Sequence, residues 1–401
     1  MTRFEMRRRY LTVTYLLACA LNDVTPSRDL IPEDHIDGLY QYAKHHSVGA
    51  LVSVALEKIG LIPKNAIAER NMAIRKIMLL DAGRAEIFAR FEAEGIKYMP
   101  LKGVIIKEMY PSIGLRQMAD NDILFDPAYR ERVKEIMLEL GYTTDDFMRT
   151  NHDVYFKEPI YNYEMHASLF ELSNRKTFAE YFDDVFGAGV KESGTSYGYR
   201  MTDEYYYLYL KAHEYKHHTN GGTGIRSLMD TYVFLRAKEA VMDRMHLDEE
   251  LRKLEILDYE RDTRELAFKI FDPAFSEKNL RAMKSRCKNS TGLLSDDESI
   301  FLDGFFMAGT YGTMVTFIKN DLDKCEKENG RGFVKIKYVF SKVFRGADFY
   351  RSHYPRLCKH DVFIPLAVLC RIFEMVFLRP KTSFKLLLKV ITFKRKKRTK
   401  H

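Results

Sequence analysis

The stretch that most constrains this chain runs from Tyr98 to Leu124 and closes on Asp120-Asn121-Asp122 at the head of an apolar run. It reads as a short strand over Lys97–Leu101, a Lys102-Gly103 turn, a short helix over Val104–Tyr110 and a second strand over Asp122–Phe125. Side chains two apart on a strand share a face, so Asp120 and Asp122 direct two carboxylates at one spot. Paired hard oxygen ligands beside a strand end suit Mg²⁺ and its phosphates, and two-metal phosphoryl and nucleotidyl transfer requires such a pair.

The flanks of this stretch differ from it. Residues 1–95 read as a helical region, with apolar spacing at Leu39, Tyr42, Val48, Leu51, Val52 and Leu56 and a long helix from Pro63 to Gly95. The first helix carries Arg3, Arg7, Arg8 and Arg9 before a mostly apolar Tyr10–Leu21. Thr12, Thr14 and Asn22 dilute that run and no small-residue cleavage site follows, so an amphipathic helix is expected rather than a signal peptide. Residues 96–195 read as a small α/β core. After the Tyr98–Leu124 stretch come a helix over Pro127–Leu140 stopped by Gly141, then strands over Asp153–Lys157 and Tyr161–Ser168 joined at Glu158-Pro159. On the last strand Glu164 and His166 alternate onto one face. Residues 196–378 return to helices. The charged helices of Asp248–Arg281 are expected at the surface, Phe301–Phe317 as a buried helix, and Val362–Leu378 as a core or interfacial helix. Arg371 and Glu374 inside that last run argue against a membrane span. The fold class is therefore α+β, a small mixed-sheet core flanked by N-terminal and C-terminal helical regions.

The motifs L-K-G-V-I-I-K-E-M-Y-P, G-L-R-Q-M-A-D-N-D-I-L-F and Y-E-M-H-A-S-L-F resemble the bacterial nucleotidyltransferase-like proteins of the DNA polymerase β superfamily, in their largely uncharacterised branch. The resemblance extends to His213, His217, Arg226 and Asp230, to Gly309–Thr313 and to the stretch from Tyr354 to Arg371. It implies a metal-dependent transfer of a nucleotidyl group from a nucleoside triphosphate, with Mg²⁺ or Mn²⁺ as cofactor. The acceptor it suggests is a cell-surface saccharide precursor or a peptide product. By the same resemblance Asp120, Asp122 and Glu164 are the catalytic, metal-binding carboxylates, although the branch more often has Asp at the third position. Lys102-Gly103 stands where the superfamily usually has Gly-Gly or Gly-Ser. Lys102, Gly103 and Arg116 are the expected nucleotide-binding residues, with Gly103 opening a helix whose N–H groups face phosphate and Arg116 offering a fork. His166, His213, His217 and Arg226 are expected to line the substrate pocket.

Two other functions compete. His213-Glu214-Tyr215-Lys216-His217 is an H-E-x-x-H on a helical stretch, the zinc-peptidase pattern, but no third ligand follows and Thr219-Asn220-Gly221-Gly222 breaks the helix. The other alternative is a catalytically degenerate nucleotidyltransferase fold kept for binding.

Charge and cysteine usage narrow the setting. The net charge of +8 is concentrated at the end, where residues 379–401 carry ten Lys and Arg and no acid, so the rest of the chain is not a basic nucleic-acid binder. In that tail Phe384, Leu387, Leu388 and Ile391 form an apolar stripe among lysines, a pattern suited to peripheral contact with an anionic membrane or with RNA. The five cysteines are odd in number, scattered and without a CxxC pair, which excludes a disulfide framework and a cysteine zinc site. The expected location is the cytoplasm, peripheral to the inner membrane face, with no transmembrane span.

Overall fold

The computed structural model describes residues 2–145, 147–172, 175–285, 293–309, 312–313, 316–318, 320, 322, 334–354, 357–374, 377 and 390. The tail stripe expected from Phe384 to Ile391 and the Thr310-Tyr311 pair of the Gly309–Thr313 motif lie outside the described residues. The chain divides into two compact units, 1–216 with 223–311, and 217–222 with 312–401.

In the first unit a four-stranded sheet sits among helices, the α+β arrangement expected. Its strands are β1 (Tyr98–Pro100), β2 (Asn121–Phe125), β3 (His152–Lys157) and β4 (Tyr161–His166). They lie in the order β1-β2-β4-β3, with β2 and β4 parallel and the outer pairs antiparallel. Between β1 and β2 lie a single helical turn, α5 (Gly103–Ile106), and a short 3-10 turn. A second sheet of two short strands, β5 (Val190–Lys191) and β6 (Tyr199–Arg200), follows.

The long helix α4 (Ala66–Glu94) backs the sheet and stops at Gly95, whose φ of +72° is the left-handed value that a glycine adopts freely. Ile77, Leu80, Ile87 and Phe91 of α4 pack on Ile123, Phe125, Tyr163 and Met165 of the sheet. The Leu80 carbonyl accepts from both the Asn121 amide (3.0 Å) and the Tyr163 hydroxyl (2.7 Å), pinning β2 and β4 to one point on the helix.

The helical regions on either side of the sheet share one apolar core. Leu11, Val13 and Leu16 of α1 (Arg3–Leu21) and Leu51 and Val52 of α3 (Gly49–Glu57) join Leu208 of α9 (Asp203–Thr219), Leu228 of α10 (Ile225–Lys238) and Leu266 of α12 (Leu257–Ile270). The first helix is not amphipathic as expected: every residue from Tyr10 to Leu21 is buried. Thr12 and Thr14, which dilute the run in sequence, are tolerated there because their hydroxyls donate to the carbonyls of Arg8 and Tyr10, each at 2.8 Å.

The charged helices of Asp248–Arg281 are also more buried than expected. Leu251, Leu266, Ile270 and Leu280 enter the core. Glu260 is fully buried because Arg244 clamps it through two nitrogens, at 3.0 and 2.7 Å, while the Tyr207 hydroxyl donates at 2.7 Å. The apolar stretch from Phe301 contributes to helix α14 (Asp296–Ala308), with Leu302, Phe305 and Phe306 buried as expected, and the helix ends at Gly309.

In the second unit, helices Val334–Val343, Ala347–His353 and Ile364–Phe373 are described, with Tyr350, Cys358 and Ala367 forming a small core. Among the described residues no helix is long and apolar enough to cross a membrane.

Gly83 marks the closest approach of α4 to the sheet. A Cβ there would lie 2.5 Å from the Tyr163 hydroxyl and 3.1 Å from the Tyr161 ring. Gly83→Ala is expected to destabilise the protein by about 1–3 kcal/mol despite the gain in helix propensity. Urea unfolding checks this, and unchanged or higher stability would contradict the packing described.

Candidate active site

The site is built where β2 and β4 run side by side. Their parallel register sets Asp122 directly opposite Glu164, and Asp120 occupies the position just before β2 begins. One turn away in space, β1 ends and the chain reverses at Lys102, which adopts φ +47° and ψ −120°. That positive φ is a glycine-type conformation, which this lysine adopts at a cost of about 1–3 kcal/mol. Two interactions hold it there. The Tyr206 hydroxyl of α9 donates to the Lys102 carbonyl at 2.8 Å, and the Lys102 ammonium donates to Asp122 Oδ1 at 2.6 Å.

Charge is crowded at this point. His166 Nε2 lies 2.9 Å from Asp122 Oδ1 and 3.5 Å from Glu164 Oε2, and Lys102 Nζ lies 3.8 Å from Glu164 Oε2. The His152 ring stacks obliquely on His166 and approaches Glu164 to 4.0 Å. Burial alone would raise the Asp122 carboxyl, yet the Lys102 ammonium and the His166 imidazole hold it well below the usual carboxylate range. Burial likewise works against the Lys102 ammonium and is outweighed, chiefly by Asp122. Asp120 is held less strongly by positive charge. Its carboxyl is pushed up to about 6, first by burial and then by Asp122 and Glu164, with Lys102 and Arg226 opposing in part.

Of the residues expected from sequence, Asp120, Asp122, Glu164, Lys102 and His166 therefore converge. Others are differently engaged. The Arg116 fork closes on Asp230 of α10, at 3.1 and 2.8 Å, and the Tyr110 hydroxyl donates to the same carboxylate at 2.7 Å. Gly103 is needed for space, since a Cβ would meet the Arg116 guanidinium at 2.5 Å and the Met118 sulfur at 2.8 Å. The helix it opens is one turn long, and its Val104 and Ile105 amides donate to the Leu101 and Lys102 carbonyls. Arg226 donates to the Gln117 carbonyl at 3.0 Å, just ahead of the Asp120–Asp122 segment.

The H-E-x-x-H pattern does lie on helix α9, but Glu214 is not placed as a general base. It is buried, paired with the fully buried Lys211 at 2.5 Å, and accepts from the Tyr259 hydroxyl at 2.9 Å. Lys211 also donates to Thr231 and Thr263, so the five side chains complete a structural network in the helical core. Among the described residues, no group of possible ligands gathers around His213 or His217, and the latter belongs to the second unit. Glu214→Gln is expected to destabilise the protein by about 3–5 kcal/mol by leaving the Lys211 charge buried without its partner. Calorimetric melting checks this. Zinc bound in stoichiometric amount and lost with His217→Ala would instead revive the peptidase pattern.

Sequence reasoning missed the role of α9. Tyr206, Tyr209, His213 and Lys216 fall on one helical face. Tyr206 holds the Lys102 carbonyl, and the fully buried Tyr209 feels the charges of Lys102, Asp122 and Glu164. The Tyr209 ring also lies 6.0 Å from that of His213. Burial and then Lys102 push the Lys216 ammonium down, while Glu171, Glu164 and Asp122 oppose them. This spacing was visible in the sequence, but H-E-x-x-H drew attention to a different pair of positions.

The donor set fits a divalent cation. Asp122, Glu164 and His166 each offer a ligand atom, all within 4.8 Å of one another, and Asp120 adds a carboxyl raised first by burial and then by an excess of negative charge from Asp122 and Glu164 over Lys102. That excess opposes folding. Because Asp120 titrates higher in the folded chain than its ordinary value of about 3.9, the penalty is absent below about pH 4 and complete above about 6. Asp120→Asn is therefore expected to stabilise the protein in EDTA by about 1–3 kcal/mol at pH 8, with the difference vanishing toward acid. Urea unfolding at the two pH values checks this, and a variant less stable than wild type at pH 8 would contradict the crowding.

Comparison with curated proteins and with solved structures gives no match. Residues 32–272, more than half of the chain and the whole of this site, match the family described as uncharacterised nucleotidyltransferase. The carboxylates at the head of β2 and the residues that hold them thus lie within the matched region, and this chain belongs to the uncharacterised nucleotidyltransferase family.

Proposed function

We propose that the chain is a divalent-metal-dependent nucleotidyltransferase whose catalytic carboxylates are Asp120, Asp122 and Glu164. The observation that carries this reading is the register of Asp122 opposite Glu164 across the parallel β2–β4 pair, with Asp120 just ahead of β2. An acceptor hydroxyl would attack the α-phosphorus of a nucleoside triphosphate as the bond to the β-phosphate oxygen breaks, releasing pyrophosphate. A cation held by the carboxylates, with the His166 nitrogen beside them, supplies acceptor activation and neutralisation of triphosphate charge. A nitrogen donor in the set makes Mn²⁺ as suitable as Mg²⁺.

In this reading the chain's own groups bind and orient. Lys102, which donates to Asp122 at 2.6 Å, would balance the charge of the triphosphate. Arg116 acts through Asp230, fixing α10 and with it Arg226 behind the Asp120–Asp122 segment. His213, whose ring lies 6.0 Å from that of Tyr209, belongs to the substrate pocket, and the acceptor is a saccharide precursor or a peptide product. Supply of nucleoside triphosphate places the reaction in the cytoplasm, and the basic residues 379–401 give the chain a contact for a polyanion, a membrane face or RNA. A degenerate, binding-only fold is favoured by one observation, the Lys102 ammonium lying on Asp122 as an internal counter-ion.

The test is pyrophosphate release with each ribonucleoside triphosphate and Mg²⁺ or Mn²⁺, with lysate as the acceptor pool. Wild type is expected to turn over, Asp120→Asn and Asp122→Asn to fall to background, and Lys102→Met to lose about 10²–10³ in rate. Activation of wild type is expected to need more Mg²⁺ as pH drops through about 6, because in the metal-free site Asp120 takes up a proton there that competes with the cation. Absence of any aspartate-dependent release would favour the binding-only fold.

A further inference from the structure

The helix Ile364–Phe373 in the second unit has two unlike faces. Toward its own core it buries Ala367 completely, with Ile364 and Val368 packed beside it. Outward, Leu366, Leu369 and Phe373 are 46, 62 and 55 % exposed, and Val362 in the preceding turn is 76 % exposed. Leu366, Leu369 and Phe373 recur at three- and four-residue spacing and so share one stripe. Phe377, 66 % exposed, continues it, its ring 4.7 Å from that of Phe373.

The two charges within this run face the other way. The Arg371 guanidinium lies over the Phe349 ring at 4.5 Å, and Glu374 accepts from the Tyr354 hydroxyl at 2.9 Å. Both are engaged inside their own unit, which leaves an uncharged apolar stripe on the outside. Two residues beyond Phe377 the sequence begins its run of ten Lys and Arg without an acid.

We propose that this stripe is a docking surface for an anionic lipid bilayer, with the helix lying in the plane of the interface. Val362, Leu366, Leu369, Phe373 and Phe377 enter the boundary between headgroups and acyl chains, and the basic residues that follow engage the headgroups. The pairing of features selects this occupant. An anionic membrane rewards apolar insertion and positive charge together, and stable peripheral attachment needs both. RNA would attract the cations but offers nothing to Leu366 and Leu369. A protein groove would have to match the same apolar stripe and a dense basic segment at once. The proposal rests on the reading of residues 379–401 as a polyanion contact and is independent of the catalytic assignment.

Sedimentation of the full chain with vesicles tests it, using phosphatidylcholine alone and phosphatidylcholine mixed with phosphatidylglycerol. Wild type is expected to bind the anionic vesicles and to ignore the neutral ones. The double variant Leu369→Glu/Phe373→Glu is expected to weaken binding by roughly tenfold or more, with an unchanged circular dichroism spectrum because both side chains are already exposed. Met245→Glu, equally exposed in the first unit, controls for added negative charge and is expected to bind as wild type. Lys394→Glu/Lys396→Glu/Lys397→Glu is expected to bind more weakly as well. Loss in the lysine variant with full binding by the stripe variant would keep the polyanion contact and overturn the docking stripe. Wild type failing to bind either vesicle, or bound only until RNA displaces it, would overturn the proposal as well.

Discussion

Everything about this site follows from placing acidic side chains opposite each other on two adjacent parallel strands. Asp122 and Glu164 are brought opposite each other by the β2–β4 register, and Asp120 is one residue ahead of the strand. Carboxylates so close repel unless positive charge lies among them. The chain supplies part of that charge with Lys102, at the price of a backbone conformation that suits glycine. The remainder shows in Asp120, whose carboxyl stays poised near neutrality. The donor atoms of Asp122, Glu164 and His166, all within 4.8 Å of one another, suit a divalent cation that would relieve this crowding.

The helical regions support this geometry. Helix α4 fixes β2 and β4 through a single carbonyl, that of Leu80. Helix α9 reaches across to hold the Lys102 carbonyl through Tyr206, and α10 engages Arg116 through Asp230. Because α1, α9, α10 and α12 share one core, the strained lysine turn is braced by the largest apolar cluster of the first unit. The buried Lys211–Glu214 pair sits in that support and keeps α9 in register with α10 and α12.

What was legible in the sequence was local. The alternation in Tyr163-Glu164-Met165-His166 placed two functional side chains on one strand face, and the turn at Lys102-Gly103 was readable from its neighbours. The α+β class followed from the change of character at Ile96. Pairings between distant residues were not legible. Arg116 and Asp230 are 114 positions apart, and no periodicity announces that the arginine fork closes on an internal carboxylate. Burial of α1 on every side was hidden for a related reason, since its two threonines satisfy their hydroxyls on the helix's own backbone. The H-E-x-x-H pattern could be set aside in sequence for want of a third ligand, but a motif records positions and not neighbours, and the neighbour that decides Glu214 is Lys211, one turn earlier.

The central claim is that Asp120, Asp122, Glu164 and His166 form a metal site. Electron paramagnetic resonance of Mn²⁺ titrated into the wild-type chain tests it without requiring the acceptor. The account predicts saturable Mn²⁺ binding, with nitrogen coupling that disappears in His166→Gln, and loss of binding in Asp122→Asn. Equal Mn²⁺ binding by wild type and Asp122→Asn, or none by either, would contradict it.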